Sequence, residues 1–173
     1  MIFTGFKRKS NQIYFNKNWQ KLLEKSSLTP SNSIKRVLVI VNNNLEKELV
    51  EKELVNLLSL SEGSIDTIIF QQKAKKEERN NGVISPKDFG WNGDFKVHKI
   101  ENILTNTYDL LINYRKVENV YCNLLLLHFK TAFRIGIGHS NKQLYNFIVK
   151  CDPAEFNIFH KELMKYLKIL KKI

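Results

Sequence analysis

Cysteine is scarce in this chain: Cys122 and Cys151 are the only two in 173 residues. They lie too far apart for a disulfide-stapled secreted scaffold, and both read as reduced thiols. Seven glycines and three prolines exclude a collagen-like chain. No apolar run approaches the roughly 20 residues of a membrane helix. The N-terminus turns basic at Lys7-Arg8-Lys9 before a signal-type apolar segment develops, so a cytoplasmic, soluble protein is expected. Four histidines, His98, His128, His139 and His160, share no ligand spacing with either cysteine, and no metal and no cofactor is expected. Arginine supplies only five of the 28 basic residues. Its planar fork is the preferred reader of guanine edges and phosphates, so a lysine-dominated excess points to a solvated surface rather than base-specific recognition. Abundant Lys, Ile and Asn beside scarce Arg, Ala, Gly and Pro is also what an AT-rich genome produces.

What is present suits one soluble domain. Hydrophobic residues make up 43% and charged residues 26% of the chain, and a domain of this length buries roughly 70% of its unfolded surface without needing a disulfide or metal. The net charge of +11 is uneven. Residues 1–36 hold eight basic side chains (Lys7, Arg8, Lys9, Lys17, Lys21, Lys25, Lys35, Arg36) and one acidic, Glu24, which is +7 of the total. The remaining +4 is spread over residues 37–173. The charge therefore marks an N-terminal segment that could meet a nucleic acid or an anionic surface through Lys7, Arg8, Lys9, Lys17, Lys21 and Lys25.

Short apolar runs alternate with stretches of helical period, the pattern of a βα-repeating sheet. A helix over about 11–26 puts Phe15, Trp19, Leu22 and Leu23 on one face and Lys17, Lys21 and Lys25 on another. Arg36–Val41 reads as a buried parallel strand because it is apolar on both faces. A helix follows to Gly63, and Ile65–Phe70 is a second strand. Residues 71–94 read as a long loop, a segment type that is functional or disordered when it interrupts a compact domain. Phe95–His98 reads as a short strand and Ile100–Thr105 as a helical turn. Asp109–Tyr114, Phe133–Ile137 and Tyr145–Val149 complete the strands. Helices are expected over Lys116 to about Phe129 and after Asp152-Pro153, an N-cap and first-turn pair. The expectation is a three-layer Rossmann-like α/β domain, 34–173, with five or six mostly parallel strands and a basic helical preface, 1–33.

Ligands of open parallel sheets bind beyond the carboxyl ends of the strands. The candidates there are Asn42, Asn43, Asn44, Asn113, Tyr114, Arg115, Gly136, Gly138, His139, Ser140 and Asp152. The set is polar but largely uncharged, better suited to hydrogen bonding than to acid–base catalysis. Gly136-Ile-Gly138-His139-Ser140 could cradle a phosphate with Arg115 nearby; it equally suits a turn between strands, and the third glycine of a dinucleotide fingerprint is missing. The three asparagines could bind hydroxyls or simply cap a helix. His139 with Ser140 and Asp152 is the single nucleophile constellation, without a Gly-x-Ser-x-Gly elbow. Cys122 reads as a core thiol, and Cys151, before a helix N-terminus, as the thiol better placed for a depressed pKa. Asp88-Phe-Gly90 matches a kinase tripeptide by letters alone. Trp91 and Phe89 read as an aromatic anchor for the long loop, or as part of a lid.

Lys87-Asp-Phe-Gly-Trp91, Asp109-Leu-Leu-Ile-Asn-Tyr114, Phe133-Arg-Ile-Gly136 and Asp152-Pro-x-x-Phe156 to Tyr166-Leu-x-Ile-Leu170 together resemble a small bacterial family of unknown function. The likeness spans nearly the whole chain and implies boundaries and fold. The run from Asp109 to Gly136 also resembles the N-terminal, acceptor-side half of heptosyltransferase-type glycosyltransferases. Here Asn42-Asn43-Asn44 stands where that family carries a glycine-rich, Asp-bearing loop, and the nucleotide-sugar lobe is absent. The resemblance thus implies a fold relative without the catalytic apparatus.

A non-catalytic binding or adaptor module is the favoured expectation. An enzyme acting on a phosphorylated or glycosyl ligand through Arg115, His139 and Asp152, and an RNA- or ribosome-associated protein using the N-terminal helix, are the alternatives.

Overall fold

The structure, a computed structural model, describes residues 2–30, 33–95, 100–116, 119–138 and 141–173, with the backbone alone for 2–4. Five strands, β1 (Val37–Val41), β2 (Ile65–Ile69), β3 (Thr107–Asn113), β4 (Lys130–Ile137) and β5 (Phe147–Val149), form one all-parallel sheet of order β2-β1-β3-β4-β5. The chain winds outward from β1 to β2, crosses back to β3, and winds the other way to β5. This is a common doubly wound order, and its direction reverses between β1 and β3.

All of β1 is buried, and period-2 alternation divides it between two cores. Val37, Val39 and Val41 face α2 (Asn44–Leu58) and α6 (Phe156–Ile169), where Val50, Leu54, Phe159 and Leu163 meet them. Leu38 and Ile40 face α5 (Val120–His128), a nine-residue helix in which seven residues are buried. Each fully buried aliphatic side chain contributes roughly 1.5–3 kcal/mol. A helix that is apolar all round must be covered all round. Part of that cover is α1 (Ile2–Ser26), which packs Phe15, Trp19, Leu22 and Leu23 into the α5 core.

Several boundaries move from the sequence expectation, each for a local reason. α1 starts at Ile2 rather than near residue 11, because its first turns are held by tertiary contacts rather than by an apolar stripe. α2 ends at Leu58 with Ser59 as a left-handed cap (φ 50°), before Gly63. α5 begins at Val120, where the Asn119 side chain accepts from the Tyr121 N–H, and not at Lys116. α6 begins at Phe156 because Asp152 caps a separate turn: its Oδ1 accepts from the Ala154 N–H and its carbonyl from the Glu155 N–H. Residues 71–94 hold a short helix, α3 (Lys76–Asn80), and a 3₁₀ turn at Pro86–Asp88. Asp88 accepts from the Ser85 N–H and pairs with Arg79 at 2.6 Å, a structural task unrelated to magnesium. A helical turn, α4 (Glu101–Thr105), lies where expected. Phe95 bridges Phe89, while residues 96–98 of the expected strand lie outside the described residues.

Two buried polar side chains fasten α1. Asn11, fully buried, donates to the Lys7 and Gly90 carbonyls and accepts from the Gly93 N–H, each at 2.9 Å. At the other end Arg134 Nη2 donates to the Ser26 carbonyl (2.9 Å) and hydroxyl (2.7 Å). This places a cation on the electronegative helix C-terminus. Burial lowers the Arg134 pKa to about 10.

Candidate functional site

At the β1/β3 switch point the strand-end side chains are already joined to one another. Glu46 accepts from the Asn42 N–H (2.8 Å) and Nδ2 (2.9 Å), and Asn43 Oδ1 accepts from the Glu46 N–H (2.9 Å). Asn43 is thus the N-cap of α2 and Asn44 its exposed first residue. Arg115 is buried rather than on the surface. Its Nη1 donates to Asn42 Oδ1 (2.8 Å) and to the Phe70 carbonyl, and its guanidinium lies 4.8 Å from the Phe70 ring centroid. These partners are neutral oxygens from the residues that follow β1 and β2. Asn113 donates to the Tyr145 hydroxyl (2.7 Å) and accepts from the Arg115 N–H. The Cys122 thiol lies in this core, and burial pushes it up to about 11.

Tyr114 and His160 are buried together beneath that crevice. The His160 Nδ1–H donates to Glu53 (3.2 Å), which leaves neutral Nε2 to accept the Tyr114 O–H (2.8 Å). Desolvation lowers the His160 pKa and raises that of Tyr114. Both groups are held in their uncharged forms, a structural bridge between β3, α2 and α6.

The β4/β5 end differs. Gly136 is part of β4, paired with Asn113 and Ile148, and so does not belong to a loop cradle. Gly138 follows the strand at φ +74°, with its N–H on the Val149 carbonyl. His139 and Ser140 lie outside the described residues, and the nucleophile constellation with them. Asp152 is exposed, paired with Lys116 Nζ at 2.5 Å, which lowers its pKa. The Cys151 thiol is pushed up, by burial first and then by Glu155 and Asp152, so the expected depressed pKa is corrected. A depression of about 310 Å³ lies among Lys116, Gly138, Lys150 and Asp152.

A third feature forms on α1. Phe6, Lys9, Ser10, Ile13, Tyr14 and Lys17 recur at helical spacing and face Trp91 across a groove of about 490 Å³. Trp91 is 50% exposed, so of these two aromatics Phe89 is the one that anchors the loop, packed on Phe95 and Tyr121 at 5.0 and 5.3 Å. Ser10 Oγ donates to the Trp91 carbonyl (2.7 Å), and His128 Nε2–H donates to that of Gly93 (3.0 Å). Arg8, Lys9, Lys17, Lys21 and Lys25 are exposed, while Lys7 reaches the Pro86 carbonyl. Asn11 and Arg134, which build this region, were not among the sequence candidates. Their partners lie about 80 and 108 residues away, beyond any local signal.

Strand order defines a doubly wound parallel α/β domain, and at its β1/β3 switch point Arg115 ties the strand ends together through Nη1, while its buried Nε has no hydrogen-bond partner among the described residues. Among the described residues no group of three or more His, Cys, Asp or Glu could hold a metal, and no helix is long and apolar enough to cross a membrane. The chain belongs to a family of unknown function, DUF6913, whose model matches residues 7–170. No curated protein and no solved structure matches it.

Proposed function

We propose that the protein is a non-catalytic binding module that docks a partner protein on the groove between α1 and Trp91. The observation that carries this reading is the groove itself. Phe6, Ile13 and Trp91 are 60%, 47% and 50% exposed beside Lys9 and Lys17, on a backbone fastened by Asn11 and Ser10. Exposed apolar surface rimmed by polar residues is a mark of an interaction site. Phe6 and Ile13 are seven residues apart, two turns of one helix face, which suits a partner helix lying along α1. α1 carries six basic side chains and one acidic, so the complementary occupant is an acidic amphipathic helix. The use of Asn43 as a helix cap and of Arg115 as a link between strand ends supports the non-catalytic half of the reading. An enzyme using Arg115 would first have to free it from Asn42 and the Phe70 carbonyl.

The test uses a fluorophore-labelled designed helical peptide with leucines at i, i+3 and i+7 and glutamates on its flanks, the full chain being titrated into it with fluorescence anisotropy of the peptide as readout. Saturable binding is expected, weakened at least about tenfold by Trp91→Ala, as aromatic hot spots are, and abolished by Ile13→Asp. Equal affinity for a lysine-flanked peptide would overturn the reading. So would oligouridylate binding at this face with a steep salt dependence, the signature of phosphate contacts.

A further inference from the structure

The β4/β5 end of the sheet carries a second, independent feature. The depression bounded by Lys116, Gly138, Lys150 and Asp152 continues into another of about 430 Å³ lined by Lys142, Tyr145, Asn146, Phe147 and Ile148, with Gly138 and Lys150 common to both. We propose that this joined cleft binds a small phosphomonoester, its phosphate between Lys142 and Lys150 and its organic part along Tyr145 and Phe147.

Three arguments converge on it. The cleft opens beyond the carboxyl ends of β4 and β5 at Gly138, Lys150 and Asp152, where parallel sheets take their ligands, and runs back along the edge strand β5 to Tyr145 and Asn146 before it, while the alternative position at β1/β3 is occupied by Arg115. Its charge is unbalanced: of three lysines only Lys116 is ion-paired, to Asp152, and Lys142 and Lys150 have no carboxylate partner among the described residues. Lysine is a competent phosphate binder as a point charge. Finally, two aromatic rings that line it are held in place: Phe147 stacks on Tyr166 at 3.9 Å between centroids and Tyr145 is tied to Asn113. The missing side chain at Gly138, where a Cβ would meet Lys116 Cγ at 3.4 Å, leaves the shared floor open. The phosphate is thus held by side-chain cations and not by a glycine-loop backbone.

Phenyl phosphate is the probe, titrated into the ¹⁵N-labelled full chain. Saturable shifts are expected at the amides of Gly138, Lys150 and Cys151. Lys150→Gln and Lys142→Gln should each weaken binding about tenfold, the usual cost of losing a charge-assisted contact, with amide spectra otherwise unchanged. Phenol should not bind. Phenol binding as tightly as phenyl phosphate, shifts confined to another face, or undiminished affinity in Lys142→Gln/Lys150→Gln would each overturn the proposal. None of these outcomes bears on the α1 groove, which the peptide titration tests separately.

Discussion

Two places on the same carboxyl edge of the sheet treat cations in opposite ways. At β1/β3 Arg115 is 8% exposed and spends its Nη1 donor on Asn42 and the Phe70 carbonyl. At β4/β5 Lys142 and Lys150 border open cleft without a carboxylate partner among the described residues. The first place is a joint, because Arg115 Nη1 bonds the residues that follow β1 and β2, although its buried Nε has no partner among the described residues. The second retains binding capacity because water, a replaceable partner, satisfies it. Position in a doubly wound sheet therefore does not by itself identify a ligand site; whether its cation is buried and bonded across the strand ends or stands exposed in an open cleft separates joint from site.

The largest effect that could break this comparison comes from making one substitution in both places. Arg115→Met strips the Phe70 carbonyl and Asn42 of a buried charged donor and should cost about 3 kcal/mol, read as a fall in the urea midpoint. Lys150→Met removes a hydrated charge and should stay within about 0.5 kcal/mol. Equal falls in the two variants would show that the open end is as structural as the closed one.

A smaller contrast separates two glycines of similar backbone. Gly93 (φ +76°) and Gly138 (φ +74°) both lie in the left-handed region. A Cβ at Gly93 would sit 2.7 Å from Tyr14 Cε1, under the α1 groove, whereas at Gly138 it would meet the flexible Lys116 side chain at 3.4 Å. Gly138→Ala should cost about 1 kcal/mol of conformational strain, and Gly93→Ala about 2 kcal/mol or more once the packed ring must move. In thermal melts the two should fall in that order, and Gly93→Ala should also weaken the acidic peptide. A Gly93→Ala protein that melts like the parent would mean that the Trp91 segment is not clamped on α1.

How much of this was legible depended on the range of the forces involved. The strand at Val37–Val41 stands out in the sequence because burial on both faces imposes an unbroken apolar run, and those at Ile65–Ile69 and Thr107–Asn113 through shorter apolar runs at their buried ends, Ile68-Ile69 and Leu110-Leu111-Ile112. Asn43 was readable as a cap because its partner, Glu46, is three residues on. The N-terminal extension of α1 was not, since Asn11 is fixed by Gly90 and Gly93 across about 80 residues and sits in a stretch without a clear apolar face. Arg115 was singled out, but nothing local distinguished an arginine bound to carbonyl oxygens from one awaiting a phosphate. The exposed groove on α1 escaped for the same reason. Trp91 and Phe89 look alike in sequence, and only the fold turns one inward and the other out.

The smallest predicted effect separates closed from open regions by pH. His160 is buried and His128, at the exposed end of α5, is held against the Gly93 carbonyl; desolvation lowers both pKa values. In the unfolded chain they take up a proton near pH 6.5; in the fold they resist until lower pH. Below about 6.5 the unfolded state therefore binds more protons, and stability falls as the pH drops towards the folded-state values. Each histidine can contribute at most about 1.4 kcal/mol per pH unit. Urea midpoints should accordingly decline between pH 7 and 5.5, and His160→Gln should flatten part of that decline while lowering stability at pH 7 through the lost Tyr114 and Glu53 bonds. Lysines at the β4/β5 end stay charged throughout this range, so Lys150→Gln should leave the slope unchanged. A slope that survives His160→Gln and His128→Gln intact would move the acid sensitivity out of the closed core.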